Sequence, residues 1–259
     1  MVLSPSPTLL VVVFAVAFRF LSRLLHALPV PKLVVRDWTR TWRWRNLSVS
    51  MVHSLLTGPG AVLCVLQVPE LLTNISEGYS TPAHLLTCIS SGYFIVDTAD
   101  IILNGQSRAS WEFLLHHVLV TPPFVFAAFT RHYVAGGVVS LFVEVNSIFL
   151  HTRLLLKLSN AQGSTLYQVN KYLNLLTFVT FRLGAQIYLT WYLLSKMVAQ
   201  HGASFLVASS VTDTLILISL STVDCMIFVY LYRLMRTDFF PRRKTHLVLQ
   251  ENHTKFLND

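Results

Sequence analysis

Seven long apolar stretches constrain the fold of this chain more than any other feature of its sequence. A bilayer core about 30 Å thick needs about 20 apolar residues for each helical span. Charged residues make up only 12% of the chain, against about 25% in a typical soluble domain. The sequence therefore predicts an all-α membrane protein with about seven transmembrane helices, at residues 8–28, 46–68, 83–103, 111–129, 134–156, 172–194 and 207–232.

Basic residues are distributed unevenly between the two predicted sides of the membrane. Fifteen of the 20 Lys and Arg residues fall in the loops and the carboxyl end that alternating spans place on one side, whereas Arg131 and Lys196 fall on the other. Because Lys and Arg collect in cytoplasmic loops, we predict an amino terminus outside and a carboxyl terminus in the cytoplasm. The sequon Asn74-Ile75-Ser76 then lies outside, which makes Asn74 a predicted glycosylation site.

Three regions follow from this pattern. Residues 1–38 are a membrane segment and the start of a basic cytoplasmic loop, residues 39–235 are the main membrane domain, and residues 236–259 are a basic cytoplasmic tail. The first segment has no Lys or Arg before its apolar run and is long for a signal core, which favours an uncleaved anchor over a cleaved signal peptide. The net charge of +8 fits this topology, and without a basic soluble domain we predict no nucleic-acid partner.

Polar side chains recur at helical spacing inside the predicted spans. In the third segment, Tyr93, Asp97 and Asp100 are four and three residues apart, which places them on one helix face. A charge at the bilayer centre costs about 2.5–3.5 kcal/mol on insertion scales, so such residues pair with one another or line a wet interior. Later segments contribute Glu112, His116 and His117; Ser140, Glu144, Ser147 and His151; Arg182 and Gln186; and Asp213 and Asp224.

These polar residues have two interpretations. They line a polar chamber in which histidine, oriented by a carboxylate, acts as a general base, or they form buried pairs that fix helix registry, for example Arg182 with Asp97 or Asp100. For any one residue registry is the commoner role, whereas for His116 with the two aspartates both interpretations stay open. The His-rich clusters of membrane di-iron enzymes are absent from the sequence, so we predict no metal site.

Taken together, several segments of this sequence resemble the TLC-domain family. That family shares a multi-helix membrane domain with ceramide synthases and translocon-associated proteins. The resemblance spans nearly the whole chain and rests on TWRWRNLSVSMVHS from Thr41, GYFIVDTADI from Gly92, SRASWEFLLHH from Ser107, GGVVSLFVEVNSIFLHTR from Gly136, KLSNAQG from Lys157 and VNKYLN from Val169.

The resemblance implies a TLC domain over residues 39–235, with six core helices around a polar interior and the first segment outside that core. In ceramide synthases a histidine pair belongs to a signature linked to acyl transfer from acyl-CoA, and His116 and His117 fit that pair. The next helix departs from the signature, because the run from Val143 to Ser147 reads VEVNS where the synthases carry His and Asp. This departure weighs against sphingoid N-acylation.

For this branch of the family, the resemblance implies a regulator of phospholipid acyl composition and membrane fluidity that limits the incorporation of polyunsaturated chains. The implied location is the plasma membrane, with the endoplasmic reticulum as the alternative, although the carboxyl end lacks a K-D-E-L sequence. Membrane phospholipids are the expected partners, and a membrane-protein partner is a further option. No cofactor is expected.

Two other functions stay open. One is a lipid acyltransferase that takes acyl-CoA as substrate and uses His116 or His117 as base or transient acyl carrier. The other is a transporter or channel accessory subunit, which only the polar stripes suggest. In each case the lipid or polar pocket is expected to be lined by Asp97, Asp100, Glu112, Glu144, Asn146, Arg182 and Asp224.

Overall fold

The computed structural model describes residues 6–35, 37–205 and 209–240, and these residues contain no β-strand. The predicted all-α fold is thereby confirmed. Its helices are α1 (Pro7–Ala27), α2 (Trp38–Gln67), α3 (Glu70–Thr73), α4 (Thr81–Leu103), α5 (Trp111–Thr130), α6 (Val134–Ser140), α7 (Val143–Leu158), α8 (Thr165–Thr177), α9 (Gly184–His201) and α10 (Val211–Leu234), with π-helical turns at Phe178–Leu183 and Met235–Phe239 and a 3₁₀ turn at Gly202–Ser204.

The chain divides into two compact units, Met1–Asp224 and Cys225–Asp259. Within the described residues, the second unit consists of the end of α10, the π-helical turn after it and Phe240. Most of the predicted basic tail, from residue 241 onward, lies outside the described residues. The predicted boundaries at residues 38 and 235 therefore stay predictions.

Six helical stretches among the described residues are long and apolar enough to cross a membrane. The predicted segment at 172–194 is also helical, but a π-helical turn divides it between α8 and α9, and it is not among the six. The chain is thus a multi-pass membrane protein. Its six spanning stretches are Pro7–Leu25, Trp38–Gln67, Thr81–Leu103, Trp111–Thr130, Val134–Leu158 and Val211–Phe239.

Helix α2 begins eight residues before the apolar run that predicted it. The Asp37 side chain accepts a hydrogen bond from the backbone N–H of Thr39 and so caps the first turn. At 1.5 Å per residue, the 30 residues of α2 extend about 45 Å, well beyond a bilayer core about 30 Å thick. The basic and aromatic stretch from Trp38 to Arg45 therefore continues the helix at one end. Hydropathy alone does not predict such an extension.

Close contacts between helices bring the polar faces together. Helix α2 packs against α7 and α4, and α4 also contacts α1 and α5. A Cβ atom at Gly58 would lie 2.8 Å from the backbone nitrogen of Val145, so the approach of α2 to α7 requires glycine. A Cβ atom at Gly92 would likewise lie 2.8 Å from the backbone nitrogen of Ala15 on α1. These two contacts set the spacing of the four helices α1, α2, α4 and α7.

Two interruptions of regular helix lie in the second half of the bundle. The predicted segment at 134–156 is divided into α6 and α7 by a turn at Leu141 and Phe142. The other interruption is the π-helical turn Phe178–Leu183 between α8 and α9. The rings of Phe142 and Phe181 lie edge to face with their centroids 6.2 Å apart, so the two interruptions contact each other.

Candidate functional site

Polar side chains from α2, α4, α5, α7 and the π-helical turn between α8 and α9 meet inside the bundle. All are buried or half-buried, although they come from helices that are mostly apolar. We term this group the interior polar cluster and define it by thirteen residues: Asn46, His53, Ser54, Ser90, Tyr93, Asp97, His116, His117, Glu144, Asn146, Ser147, His151 and Arg182.

Asp97 joins α4 to two neighbouring helices. The side-chain amide of Asn46 on α2 donates a hydrogen bond of 2.6 Å to Asp97 Oδ1. On the other side, Nδ1 of His117 on α5 lies 3.4 Å from Asp97 Oδ2. The carboxylate therefore faces one nitrogen of the imidazole without forming a hydrogen bond to it. A hydrogen bond at this nitrogen would orient the histidine as a general base through its other nitrogen.

A second histidine and carboxylate lie between α2 and α7. The Ser54 hydroxyl donates a hydrogen bond of 2.5 Å to Glu144 Oε2, and Nδ1 of His53 lies 3.9 Å from the same oxygen. The His53 ring stacks on Tyr93 with the ring centroids 4.0 Å apart. Its Nε2 atom lies 3.2 Å from Ser90 Oγ. The stack and the serine hold the imidazole in one orientation.

Arg182 anchors the π-helical turn to α7. Its Nε atom donates to Asn146 Oδ1 at 2.7 Å, and its Nη2 atom donates to Ser147 Oγ at 2.7 Å. Asn146 is fully buried and in turn donates to the Asn174 carbonyl at 2.9 Å and to Thr177 Oγ1 at 3.1 Å. This network fixes helix registry through hydrogen bonds from a charged donor, which are stronger than neutral ones.

Asp100 lies one helical turn from Asp97 and has its own partners. Trp42 Nε1 donates to Asp100 Oδ2 at 3.0 Å, and Nη1 of Arg19 on α1 lies 3.4 Å from Oδ1. Helix α1 also contacts the cluster itself, because the buried Phe18 ring lies 5.2 Å from Tyr93, centroid to centroid. Helix α1 is therefore a wall of the site, although the sequence prediction placed it outside the core.

Besides Asp100, three predicted site residues are not members of the interior polar cluster as defined above. Glu112 is half-buried in the first turn of α5, one turn before His116. Asp224 accepts a hydrogen bond of 2.8 Å from Thr190, which places it at the contact of α9 with α10. Asn74 is exposed in the turn after α3, where the proposed glycosylation requires it to be. The predicted pocket thus brings together Asp97, Glu144, Asn146, Arg182 and the histidine pair, with Asp100 at its edge.

The imidazoles of the cluster keep unused hydrogen-bonding capacity. Within the described residues, Nδ1 of His53, of His117 and of His151 is buried without a hydrogen bond. Two of these atoms nevertheless face a carboxylate, His53 Nδ1 that of Glu144 and His117 Nδ1 that of Asp97. Such atoms are rare in folded proteins, and they mark places where a ligand or a proton can be accommodated. In the same part of the chain, no three His, Cys, Asp or Glu side chains are arranged to hold a metal ion.

Four cluster residues were not predicted from the sequence: Asn46, His53, Ser54 and Ser90. A signal was nevertheless present, because Ser90 precedes Tyr93 by three residues and extends the stripe to Asp97 by one turn. Asn46, Ser50 and Ser54, each four residues after the last, form a comparable stripe on α2 beside His53.

Comparison with known proteins supplies a family. A protein-family model described as TLC domain matches residues 43–236. The chain is 44% identical over 242 residues to TLC domain-containing protein 1 of Homo sapiens, a match that covers 93% of each protein. It is 45% identical to the protein of the same name in Gallus gallus, over 93% of this chain and 92% of the relative. It is 37% identical to TLC domain-containing protein 2 of Danio rerio, over 86% of each.

Proposed function

This chain belongs to the TLC-domain family, and we propose that it sets the fatty-acyl composition of membrane phospholipids and so membrane fluidity. It limits the incorporation of polyunsaturated acyl chains, and membrane phospholipids are its ligands. One observation carries the proposal: Asp97, His117 and Glu144 lie buried together inside a bundle of membrane helices. Ionisable groups at this depth are costly, and they mark functional sites by default.

The chemistry of the interior polar cluster suits a lipid that carries both polar and apolar parts. Its imidazoles offer donors or acceptors to the ester, hydroxyl or amine groups of a phospholipid. The apolar helices around the cluster suit the acyl chains. Because a polyunsaturated and a saturated chain differ only in their apolar parts, we expect the surrounding helices to choose the chain and the cluster to hold the polar end.

The test compares cluster variants with a matched surface variant in cells supplied with a polyunsaturated fatty acid. We expect wild-type protein to lower the polyunsaturated fraction of phospholipids, and Asp97→Asn and His117→Ala to lose that effect. His132→Ala is the control, because His132 pairs with Glu77 at 3.0 Å outside the spans and is exposed. If the two cluster variants reach the membrane in wild-type amounts and act like wild type, the proposal is wrong.

A second function, lipid acyl transfer, is favoured by the distance of 3.4 Å between His117 Nδ1 and Asp97 Oδ2. A carboxylate at one imidazole nitrogen leaves the other free to take a proton from a hydroxyl or amine acceptor. Acyl-CoA is then the acyl donor and a membrane lipid the acceptor. Purified protein given labelled acyl-CoA and phospholipid acceptors tests this directly. Transfer by wild type and His132→Ala but not by His117→Ala supports it, and no transfer by wild type refutes it.

For the location we propose the plasma membrane, with the amino terminus outside and the carboxyl terminus in the cytoplasm. The asymmetry of Lys and Arg between the two sides supports this orientation. A glycosidase that removes N-linked glycans should shift the mobility of wild type and leave Asn74→Gln unchanged. A glycan on Asn252, which lies outside the described residues, would reverse the assigned sides.

A further inference from the structure

The arrangement of Ser90, His53 and Glu144 has a chemical meaning beyond lipid binding. Ser90 Oγ lies 3.2 Å from His53 Nε2, and His53 Nδ1 lies 3.9 Å from Glu144 Oε2. A hydroxyl, an imidazole and a carboxylate in this order form the arrangement that activates serine as a nucleophile. The distance to the carboxylate is longer than a hydrogen bond, and His53 Nδ1 has no hydrogen-bond partner in the described part of the chain. The activated arrangement therefore requires these two side chains to approach each other by about 1 Å.

We propose that Ser90 is a nucleophile that carries a fatty acyl group as an ester, with His53 as its general base and Glu144 as a positioning residue. The inference rests on the acyl-transfer function proposed above and names the residue that would hold the acyl chain. It differs from the earlier expectation, in which His116 or His117 was the transient carrier. The acyl donor is a fatty acyl thioester, and the acceptor is a hydroxyl or amine of a membrane lipid.

The chemical step balances with the groups present. His53 Nε2 takes the proton of the Ser90 hydroxyl while Ser90 Oγ attacks the thioester carbonyl. The C–S bond then breaks, the thiolate leaves with the proton from His53, and the acyl chain stays on Ser90 as an oxygen ester. In the second half-reaction, the hydroxyl or amine of the acceptor attacks the carbonyl carbon of the Ser90 ester, and His53 takes the proton of the acceptor. The C–O bond to Ser90 then breaks, and His53 gives that proton to Ser90 Oγ. No oxidant, reductant or metal is required.

The surroundings of the three residues suit such an ester. Ser90 is fully buried, and Glu144 is held by the hydroxyl of Ser54 at 2.5 Å. Tyr93 covers one face of the His53 ring, and Phe18 of α1 lies against both rings. The fold thereby keeps water from the position where the ester would form, which protects it from hydrolysis. Because Ser90 and His53 are buried, admission of the acyl chain requires the surrounding apolar helices to separate.

The neighbouring Ser91 is a matched control within the same helix. Its hydroxyl donates to the Thr87 carbonyl at 2.8 Å, and it is buried like Ser90. The two serines therefore share depth, helix and burial, and Ser90 has the imidazole of His53 as its partner. A difference between Ser90→Ala and Ser91→Ala reports on that partner and not on the loss of a buried hydroxyl in general.

The experiment uses the full chain in lipid nanodiscs with a fatty acyl-CoA that ends in an alkyne, followed by mass spectrometry of the labelled peptide. We expect an acyl group on Ser90 in wild type and Ser91→Ala, and none in Ser90→Ala. Neutral hydroxylamine is applied because it cleaves thioesters and leaves oxygen esters, which separates Ser90 from the nearby Cys88. Ser90→Cys should restore the label in a form that neutral hydroxylamine removes.

Two further variants assign the roles of base and positioning residue. His53→Gln should slow acylation by about a hundredfold or more, as the loss of a general base does. Glu144→Gln keeps an acceptor for Ser54 and should lower kcat for acylation while KM for the acyl-CoA stays unchanged. A purely structural role for Glu144 would lower the amount of folded protein instead.

The outcomes distinguish this inference from the function on which it rests. If wild type transfers acyl chains to lipid while Ser90 is never acylated and Ser90→Ala is fully active, Ser90 is not the carrier and acyl transfer stands. If wild type is neither acylated nor active in transfer, both are wrong. A label on His117 in place of Ser90 would also overturn the assignment.

Discussion

Two groups of polar residues in this molecule have similar side chains but differ in how completely their hydrogen bonds are satisfied. The first is the interior polar cluster. The second, which we term the loop group, joins Tyr133, Lys196 and Asp213: Tyr133 donates to Asp213 Oδ1, Lys196 Nζ donates to Tyr133 Oη at 2.9 Å, and Nζ lies 3.6 Å from Asp213 Oδ2. Each charged or hydroxyl group of the loop group takes part in a hydrogen bond, whereas three imidazoles of the cluster have a buried Nδ1 atom without one.

The difference teaches how to tell a structural network from a functional one. A polar network whose members are all satisfied rigidifies a fold, and the loop group fixes the unusual backbone of Tyr133, which has φ 61°. A network that keeps buried, unpartnered atoms holds capacity for a ligand or a proton. By this criterion, variants of the cluster should change lipid chemistry, and variants of the loop group should change stability alone.

The largest effect on stability is expected where the cluster is itself structural, at Asn146. Asn146→Ala removes the acceptor of Arg182 at 2.7 Å and leaves buried groups without partners. Its free energy of unfolding in detergent should fall by about 3 kcal/mol, as for the loss of a buried hydrogen bond to a charged group. Gln162→Ala, which also removes an amide side chain but at an exposed position, should cost less than about 1 kcal/mol. Equal losses in the two variants would contradict the network described for Asn146.

The next largest effect is expected from the helix contact that supports the cluster. Gly58→Ala places a Cβ atom 2.8 Å from the backbone nitrogen of Val145, so α2 and α7 must move apart. We expect a loss of about 2 kcal/mol, in the range for overpacking, and a weaker lipid effect. Gly163→Ala is the control, because a Cβ atom there meets nothing within 4 Å. Unchanged unfolding of Gly58→Ala would mean that the two helices do not require this approach.

A smaller effect is expected in the loop group. Lys196→Met removes an ion pair in which the Lys196 side chain is 25% exposed, and such pairs contribute about 1 kcal/mol or less. Thermal unfolding in detergent should show this small loss, while the phospholipid profile of expressing cells should match that of wild type. A changed phospholipid profile in Lys196→Met would contradict the conclusion that the loop group affects stability alone.

The smallest expected effect is the contribution of Tyr133 to the pH dependence of stability, which does not change near neutral pH. Burial, together with its hydrogen bond to Asp213, raises the pKa of Tyr133 above its ordinary value. A group whose pKa is raised by folding stabilises the protein below its unfolded pKa and loses that contribution as the pH rises through the folded pKa. We expect no change in this contribution between pH 6 and 9 and a loss above about pH 10. Tyr133→Phe should lose less stability than wild type between pH 9 and 11, measured by thermal unfolding.

Much of the fold was predictable because hydropathy and helical spacing dominate this sequence. The stripe from Tyr93 to Asp100 placed Asp97 correctly on an inward face, since a charged side chain in a span must find a polar neighbour. The interruption at Leu141 and Phe142 was not predictable, because both residues are apolar and fit a continuous helix. The hydrogen bond between Asp224 and Thr190 was also not predictable. The partner of an inward-facing carboxylate depends on which helix packs against it, and the sequence pattern does not specify that helix.

The role of α1 shows a further limit of sequence patterns. Its apolar composition predicts a span but does not indicate which helix it packs against. That information lies on α4, where Gly92 admits the backbone of α1. A family match that begins at residue 43 leaves α1 out, and yet Phe18 borders the site.

The π-helical turn at Phe178–Leu183 bears on how this protein is compared with its relatives. Such a turn accommodates one residue more than an α-helix does, and each residue of an α-helix turns about 100° around its axis. A relative with one residue fewer here would keep the helix but point the counterpart of Arg182 away from Asn146. A single gap in an alignment at this point would therefore separate proteins that share this guanidinium contact from proteins that have lost it.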